Sequence, residues 1–214
     1  MTHDWDALAR GTLAVYAANA RAFNQTRNKT LFEKQWLDRF LAMLPAQSYI
    51  LDAGCGTGDP IARYLMERGH TVTGIDGAPA MIAEAQAAFP CGDWRVMDLR
   101  QITLPGPYDG VLGWNSVFHL TQAEQRAVIP HLIRLVRPGG PLMITIGHGN
   151  GTATGTIAGH TVYHASLSPQ EYRALLDENG CDTVDLVIED PRCNGHSVLL
   201  GRRRSSAQTK SPGA

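Results

Sequence analysis

Apolar positions along this chain fall into alternating helical and strand-like segments. From Trp5 to Leu44 they recur at helical spacing, at Leu8, Leu13, Tyr16, Phe23, Leu31, Trp36, Leu37, Phe40, Leu41 and Leu44, and Pro45 ends the run. The polar stretch 24–30 divides it into a first helix over 4–22 and a second over 29–44. Residues 49–51 then read as a buried strand that breaks at Gly54, Gly56 and Gly58, with Pro60 where a helix can start. Ile61, Leu65 and Met66 give a helix face that Gly69 stops, and residues 71–76 form a second strand. A helix over 79–89 turns Met81, Ile82, Ala85 and Phe89 inward, and a third strand covers 94–97. A fourth strand over 108–114, an amphipathic helix over 124–137 that Pro130 should kink or restart, and a fifth strand over 142–146 follow. Five glycines and three threonines over 147–159 predict a loose substrate-side loop. Ser168, Pro169 and Glu171 predict a capping box for a helix to Asn179, and strands near 183–188 and 197–200 close the pattern.

Strands alternating with helices predict an α/β fold, a doubly wound, mostly parallel seven-stranded sheet with helices on both faces. With 214 residues, 43% of them apolar, one buried domain over 1–204 is expected. Residues 205–214, polar and serine-rich, are expected to be a disordered tail. A net charge of -1 provides no basic field for a nucleic-acid backbone. The start carries two acids and no apolar core, and no run approaches the roughly 18 residues of a membrane span, so a soluble, cytoplasmic protein with no nucleic-acid or membrane partner is expected. Four cysteines without a C-x-x-C pair predict reduced, mostly buried thiols and no metal site.

Strand, glycine turn and helix start make a nucleotide-type corner, with backbone N–H groups beyond the strand end. The dinucleotide pattern G-x-G-x-x-G fails in both registers, since Asp59 and Ile61 stand where the third glycine belongs, and no Gly-Lys-Ser/Thr follows. Asp76 ends the second strand, 22 positions after Gly54, where a doubly wound sheet brings a carboxylate to ribose hydroxyls. The ligand expected here carries a nucleoside and needs no pyrophosphate cradle.

Asp52 ahead of those glycines, Asp98-Leu99 after the third strand, and Arg137-Pro138-Gly139-Gly140-Pro141 before the fifth together resemble the class I methyltransferases that use S-adenosylmethionine (SAM). The resemblance covers 49–146 and implies a 1–44 helical lid over a Rossmann-like core at 45–204. It implies that Ala53, Gly54, Cys55, Gly56, Asp76, Gly77, Met81, Met97, Asp98 and Leu99 bind SAM, with Asp76 on the ribose hydroxyls and Asp98, helped by the Leu99 backbone, on the adenine. Trp114, ending the fourth strand, should face the methyl group. Tyr16 over the ligand and Arg27 by the methionine carboxylate are expected of the lid, an aromatic and basic pair flanking the polar break. The implied activity is in-line transfer of a methyl group to an N or O atom of a small-molecule acceptor, heteroaromatic or phenolic. The Asn-Pro-Pro-Tyr signature of nucleic-acid amino-methylation is missing, because Ser116 and Val117 occupy the proline positions. Trp114, Asn115, His119, His148, Tyr163 and His164 are the candidate acceptor wall, and His119 and His164 the candidate bases, each titrating near the ordinary ~6.5. His70, His131 and His196 are expected at the surface or in packing. A non-catalytic SAM-binding protein and a nicotinamide oxidoreductase are the alternatives.

Overall fold

A computed structural model describes residues 4–205. Residues 206–214, most of the expected tail, lie outside the described residues. A helix α1, Trp5–Thr26, and a shorter α2, Lys34–Leu41, precede β1, Tyr49–Ala53. Then α3 (Ile61–Glu67), β2 (Thr71–Asp76), α4 (Pro79–Ala88), β3 (Asp93–Val96), β4 (Gly110–Gly113), α5 (Gln122–Leu135) and β5 (Pro141–Ile146) alternate along the chain. Two further strands, β6 (Gly151–Ile157) and β7 (His160–Ser166), precede α6 (Pro169–Glu178) and the closing β8 (Cys181–Asp190) and β9 (His196–Arg203).

Seven strands form one sheet in the order β3-β2-β1-β4-β5-β9-β8. The pairs from β3 to β5 are parallel, and β9 runs antiparallel to both its neighbours. Successive strands are added outward from β1 to one side as far as β3 and then to the other from β4, so the strand order reverses between β1 and β4, the topological switch point where open α/β sheets bind ligands. Nearly every position of β1, β4 and β5 is buried, as expected for parallel strands covered on both faces. Strand alternation sends Leu51, Val111, Leu142 and Ile144 to one face, beneath Ile129, Leu132 and Ile133 of α5 and Tyr172 and Leu176 of α6. Ile50, Leu112, Met143, Val198 and Leu200 go to the other, against Leu65 of α3 and Ile82 of α4. Trp36, Leu37 and Phe40 of α2 join that second layer, so α2 belongs to the body, and within 1–44 it is α1 that covers the sheet's carboxyl edge.

Several expected boundaries move. The first helix passes through Asn24 and ends at Thr26; its irregularity lies at Asn19, whose φ is -119° and whose side-chain amide donates to the Val15 carbonyl. An Asn amide that can bond the preceding turn competes with the helix ladder, which places the kink there. Pro130 does not restart α5, which is continuous; the carbonyl it leaves without a donor is that of Arg126, an exposed residue that water can serve. Thr121 and Glu124 cap α5 reciprocally, whereas at α6 Ser168 caps the Glu171 N–H and the Glu171 carboxylate pairs with Arg126 instead. The expected loop over 147–159 is largely strand: β6 and β7 form a hairpin turned by Ala158 and Gly159, both at positive φ as a tight two-residue turn requires. Cys181 and Cys193 are buried, Cys55 half-buried and Cys91 exposed. No helix among the described residues is long and apolar enough to cross a membrane.

Candidate active site

A cavity of ≈ 610 Å³ opens over the carboxyl ends of β1, β4 and β5, beneath α1 and beside the β6–β7 hairpin. Gly54 and Gly56 form its floor at positive φ. A Cβ on Gly54 would lie 2.2 Å from Ser116 Cβ, whose hydroxyl donates to the Ala53 carbonyl at 2.6 Å, so the glycine lets the β1 and β4 loops close on each other. A Cβ on Gly56 would meet no protein atom nearer than Phe23, at 3.9 Å, and would project into open cavity. That is the cradle a closely approaching ligand needs.

Asp76 accepts the Gly56 N–H at 3.0 Å through one oxygen and the Ala78 N–H at 2.8 Å through the other. It thereby fastens the glycine loop to the end of β2, and each oxygen keeps a lone pair for a ligand hydroxyl. Burial raises its pKa. Asp52, also in the wall, is 2% exposed and its carboxylate makes no hydrogen bond among the described residues. Burial pushes its pKa up to about 7, with Asp76 adding to the rise and Arg27 opposing it. A buried carboxylate without a partner, at a cavity wall, suits a cationic ligand group. Arg27 is held by the Asp59 carbonyl at 3.2 Å and by Glu33 at 3.3 Å. Asp98 caps the turn at 99–101 by accepting the Arg100 N–H, and the Arg100 guanidinium bridges it to Glu124. These donor and acceptor types fit SAM, whose amine, sulfonium and ribose call for anions and whose carboxylate calls for a guanidinium.

Of the expected cofactor residues, Tyr16, Arg27, Gly54, Cys55, Gly56, Asp76, Gly77, Met81, Asp98, Leu99 and Trp114 line the cavity, and so do Asn115, His119, His148 and His164 of the acceptor set. Ala53, Met97 and Tyr163 do not. Ala53 is fully buried beneath the turn and Met97 packs against the core, because the strand ends direct these side chains inward. Strand alternation along β7 turns Val162 and His164 to the cavity and Tyr163 away from it, against Ala9 and Trp5. Tyr163 contributes its backbone: its N–H donates to Thr12 Oγ1 at 3.1 Å and its carbonyl faces His119 Nδ1 at 2.8 Å. A carbonyl only accepts, so Nδ1 carries the proton and Nε2 accepts the Tyr16 hydroxyl at 2.9 Å. Burial drives the His119 pKa down to about 4, well below the ordinary value expected of a base. His164 is also depressed by burial, and packs edge-on against Phe118 with ring centroids 4.8 Å apart.

The cavity wall also includes residues that sequence reasoning missed: Asn194, Glu189 and His196, from the end of β8 to the start of β9. His196 was expected at the surface or in packing; because β9 is antiparallel, its first residue lies at the carboxyl edge, over Trp114, with ring centroids 5.7 Å apart and planes 23° apart. The signal available was the turn Asn194-Gly195 immediately before it.

Residues 50–140 match the family model described as a methyltransferase domain. The chain is 33% identical over 134 residues to a malonyl-[acyl-carrier protein] O-methyltransferase of Enterobacter lignolyticus, covering 62% of this chain and 53% of that protein. It is 29% identical over 159 residues to a trans-aconitate 2-methyltransferase of Shigella dysenteriae serotype 1, covering 68% of this chain and 62% of that one. The chain thus spans between half and two thirds of the length of these curated relatives. Among solved structures, the fold is similar to that of the 1,6-didemethyltoxoflavin-N1-methyltransferase of Burkholderia thailandensis, with a TM-score of 0.73 at 18% identity, over 96% of this chain and 92% of that one. In sheet order, glycine corner and the matched segment the chain is similar to SAM-dependent methyltransferases, and His148, His164 and His196 of its cavity wall lie outside the matched segment.

Proposed function

We propose that this chain binds SAM and transfers its methyl group to an N or O atom of a small-molecule acceptor. The observation that carries the reading is that the glycine corner with Asp52 and Asp76, and the wall with Asn115, His119, His164 and His196, enclose one continuous cavity. A protein that only bound SAM would have no use for the second wall. When bound, SAM supplies a methyl group on a sulfonium, which passes to an acceptor lone pair in line with the carbon–sulfur bond and leaves S-adenosylhomocysteine. The chain's own contribution is chiefly placement, since well-oriented reactants gain roughly 7–11 kcal/mol over free encounter. Asp76 holds the ribose, Asp52 faces the cationic groups, Arg27 meets the carboxylate and Asp98 with the Leu99 N–H meets the adenine. The α1 helix closes the chamber through the Tyr16–His119 bond.

His119 has both ring nitrogens engaged and a depressed pKa, so it orients Tyr16 and is a poor base. The acceptor's proton, where there is one, leaves to another group or to water. The relatives' names favour a second reading of the acceptor, an organic acid methylated at a carboxylate. Two guanidiniums, Arg27 and Arg100, reach the cavity; the first is assigned to the SAM carboxylate and the second is bound to Asp98 and Glu124, which counts against an acid. A thermal-shift panel of SAM, S-adenosylhomocysteine and NAD tests the cofactor: the first two are expected to raise the melting temperature at micromolar concentration, and a response to NAD alone would replace the reading with an oxidoreductase.

A further inference from the structure

We propose that His196, Asn115 and Trp114 read the acceptor, and that the acceptor is an uncharged planar heterocycle of the cyclic amide or ureide class, with N–H donors beside a carbonyl. The inference rests on the methyltransferase reading and names its acceptor. Three polar atoms of one wall carry it. The Trp114 indole N–H is buried and has no partner among the described residues, nor has the Asn115 side-chain oxygen. His196 Nδ1 lies 3.0 Å from the Cys193 carbonyl, so the proton sits on Nδ1 and Nε2 remains an acceptor with no partner among the described residues.

Buried polar groups in folded proteins are nearly always paired, and those left open at a cavity wall are the ones a ligand is built to meet. Together the three offer two acceptors and one donor. Each is held in place: the His196 ring lies between Trp114, at 5.7 Å, and Phe32, at 5.0 Å, and the Asn115 N–H donates to Thr145 Oγ1 at 2.7 Å. Asn115 also sits at φ +52°, an uncommon conformation for a residue other than glycine and one kept where the surroundings demand it. By contrast His119 is saturated, and His164 lies against Gly155, where a Cβ would come within 2.5 Å of its ring. His196 covers Trp114, so it is the imidazole that meets the acceptor where the indole face was expected to.

Charge settles the rest of the class. Of the acids in the lining Asp59 and Asp98 are ion-paired, which leaves Asp52, Asp76 and Glu189, while of its two guanidiniums Arg27 is assigned to the cofactor's carboxylate and Arg100 is bound to Asp98 and Glu124. An anionic acceptor would enter an acidic chamber without a free cation, and its desolvation would go uncompensated.

Uracil, 1,3-dimethyluracil and orotate form a matched test series, since they share one ring while the second lacks N–H donors and the third adds a carboxylate. The full chain is first titrated with S-adenosylhomocysteine and then, saturated with it, with each probe by ligand-observed NMR. Uracil is expected to bind at least tenfold more tightly than either analogue. In histidine-¹⁵N-labelled protein the His196 Nε2 resonance should move on addition of uracil while that of His119 stays. His196→Phe, which keeps the ring stacking, should weaken uracil at least fivefold and leave S-adenosylhomocysteine affinity within twofold. The proposal is overturned if orotate or 1,3-dimethyluracil binds as well as uracil, if uracil does not bind, or if the His196 resonance is unmoved; the last needs no variant to fold. Failure of the first titration would instead remove the methyltransferase reading beneath it.

Discussion

Asp52 is buried at the cavity wall without a hydrogen-bond partner among the described residues, which costs the fold stability and leaves the carboxylate for a ligand to meet. Its folded pKa of about 7 stands above the ordinary carboxylate value, so the ligand-free protein takes up a proton on folding between roughly pH 4 and 7. Stability from this group is present below that window and is lost as pH rises through it. Asp52→Asn should therefore stabilise ligand-free protein at pH 8, on the order of 2 kcal/mol, and SAM should bind wild type less tightly as pH falls below 7. Denaturant melts and SAM titrations at pH 5.5 and 8 check both; an unchanged melt with pH-independent binding would show the carboxylate ionised and paired. Asp76 differs, since it braces the glycine loop as well as being the residue proposed to hold the ribose. Hydrogen bonds to charged groups contribute roughly 1.5–3 kcal/mol each, so Asp76→Ala should weaken SAM at least about tenfold, and calorimetry showing less than a twofold change with the fold intact would defeat the assignment. Gly56→Val, which leaves Asp76 in place, should abolish binding by filling the cradle.

At the scale of elements, α1 is attached to the chamber by contacts on both sides of the cavity wall. Tyr16 bonds His119, Thr12 bonds the Tyr163 backbone, and Ala20 packs on Ala78 and Met81. The segment after it is pinned by Arg27 to Glu33 and by Lys29 to Asp59, next to the glycine loop. The Lys29–Asp59 pair is partly exposed and contributes little, about 0–1 kcal/mol, whereas Glu33 is fully buried, so it is the stretch around Lys29 that should open without cofactor. Trypsin is expected to cut near Lys29, and saturating SAM to slow that cut several-fold, more in wild type than in Tyr16→Phe. Equal cleavage rates with and without SAM would mean that α1 is a fixed wall. The α2 helix should show no such dependence, because Trp36, Leu37 and Phe40 are buried in the sheet's own core.

Over the whole molecule, the parallel sheet and its glycine corner were legible because local residue types impose them: apolar runs of strand length, glycines where the chain must turn, and an acid at the end of β2. The acceptor wall was legible only in part. His196 reaches the cavity through the antiparallel direction of β9, which depends on pairing across the sheet, and strand alternation turns Tyr163 away from it within a β6–β7 hairpin whose strands the apolar pattern did not mark. The 147–159 segment hid its hairpin because exposed Thr and Gly positions carry no apolar alternation. What unites the two walls is their shared cavity, and that is also what the account most needs tested. Protein incubated with SAM and a library of amines, phenols and neutral heterocycles, followed by mass spectrometry, should yield one acceptor mass increased by a single methyl with an equal amount of S-adenosylhomocysteine, and Gly56→Val should yield neither. Tight SAM binding with no methylated product from any of these classes would contradict the account.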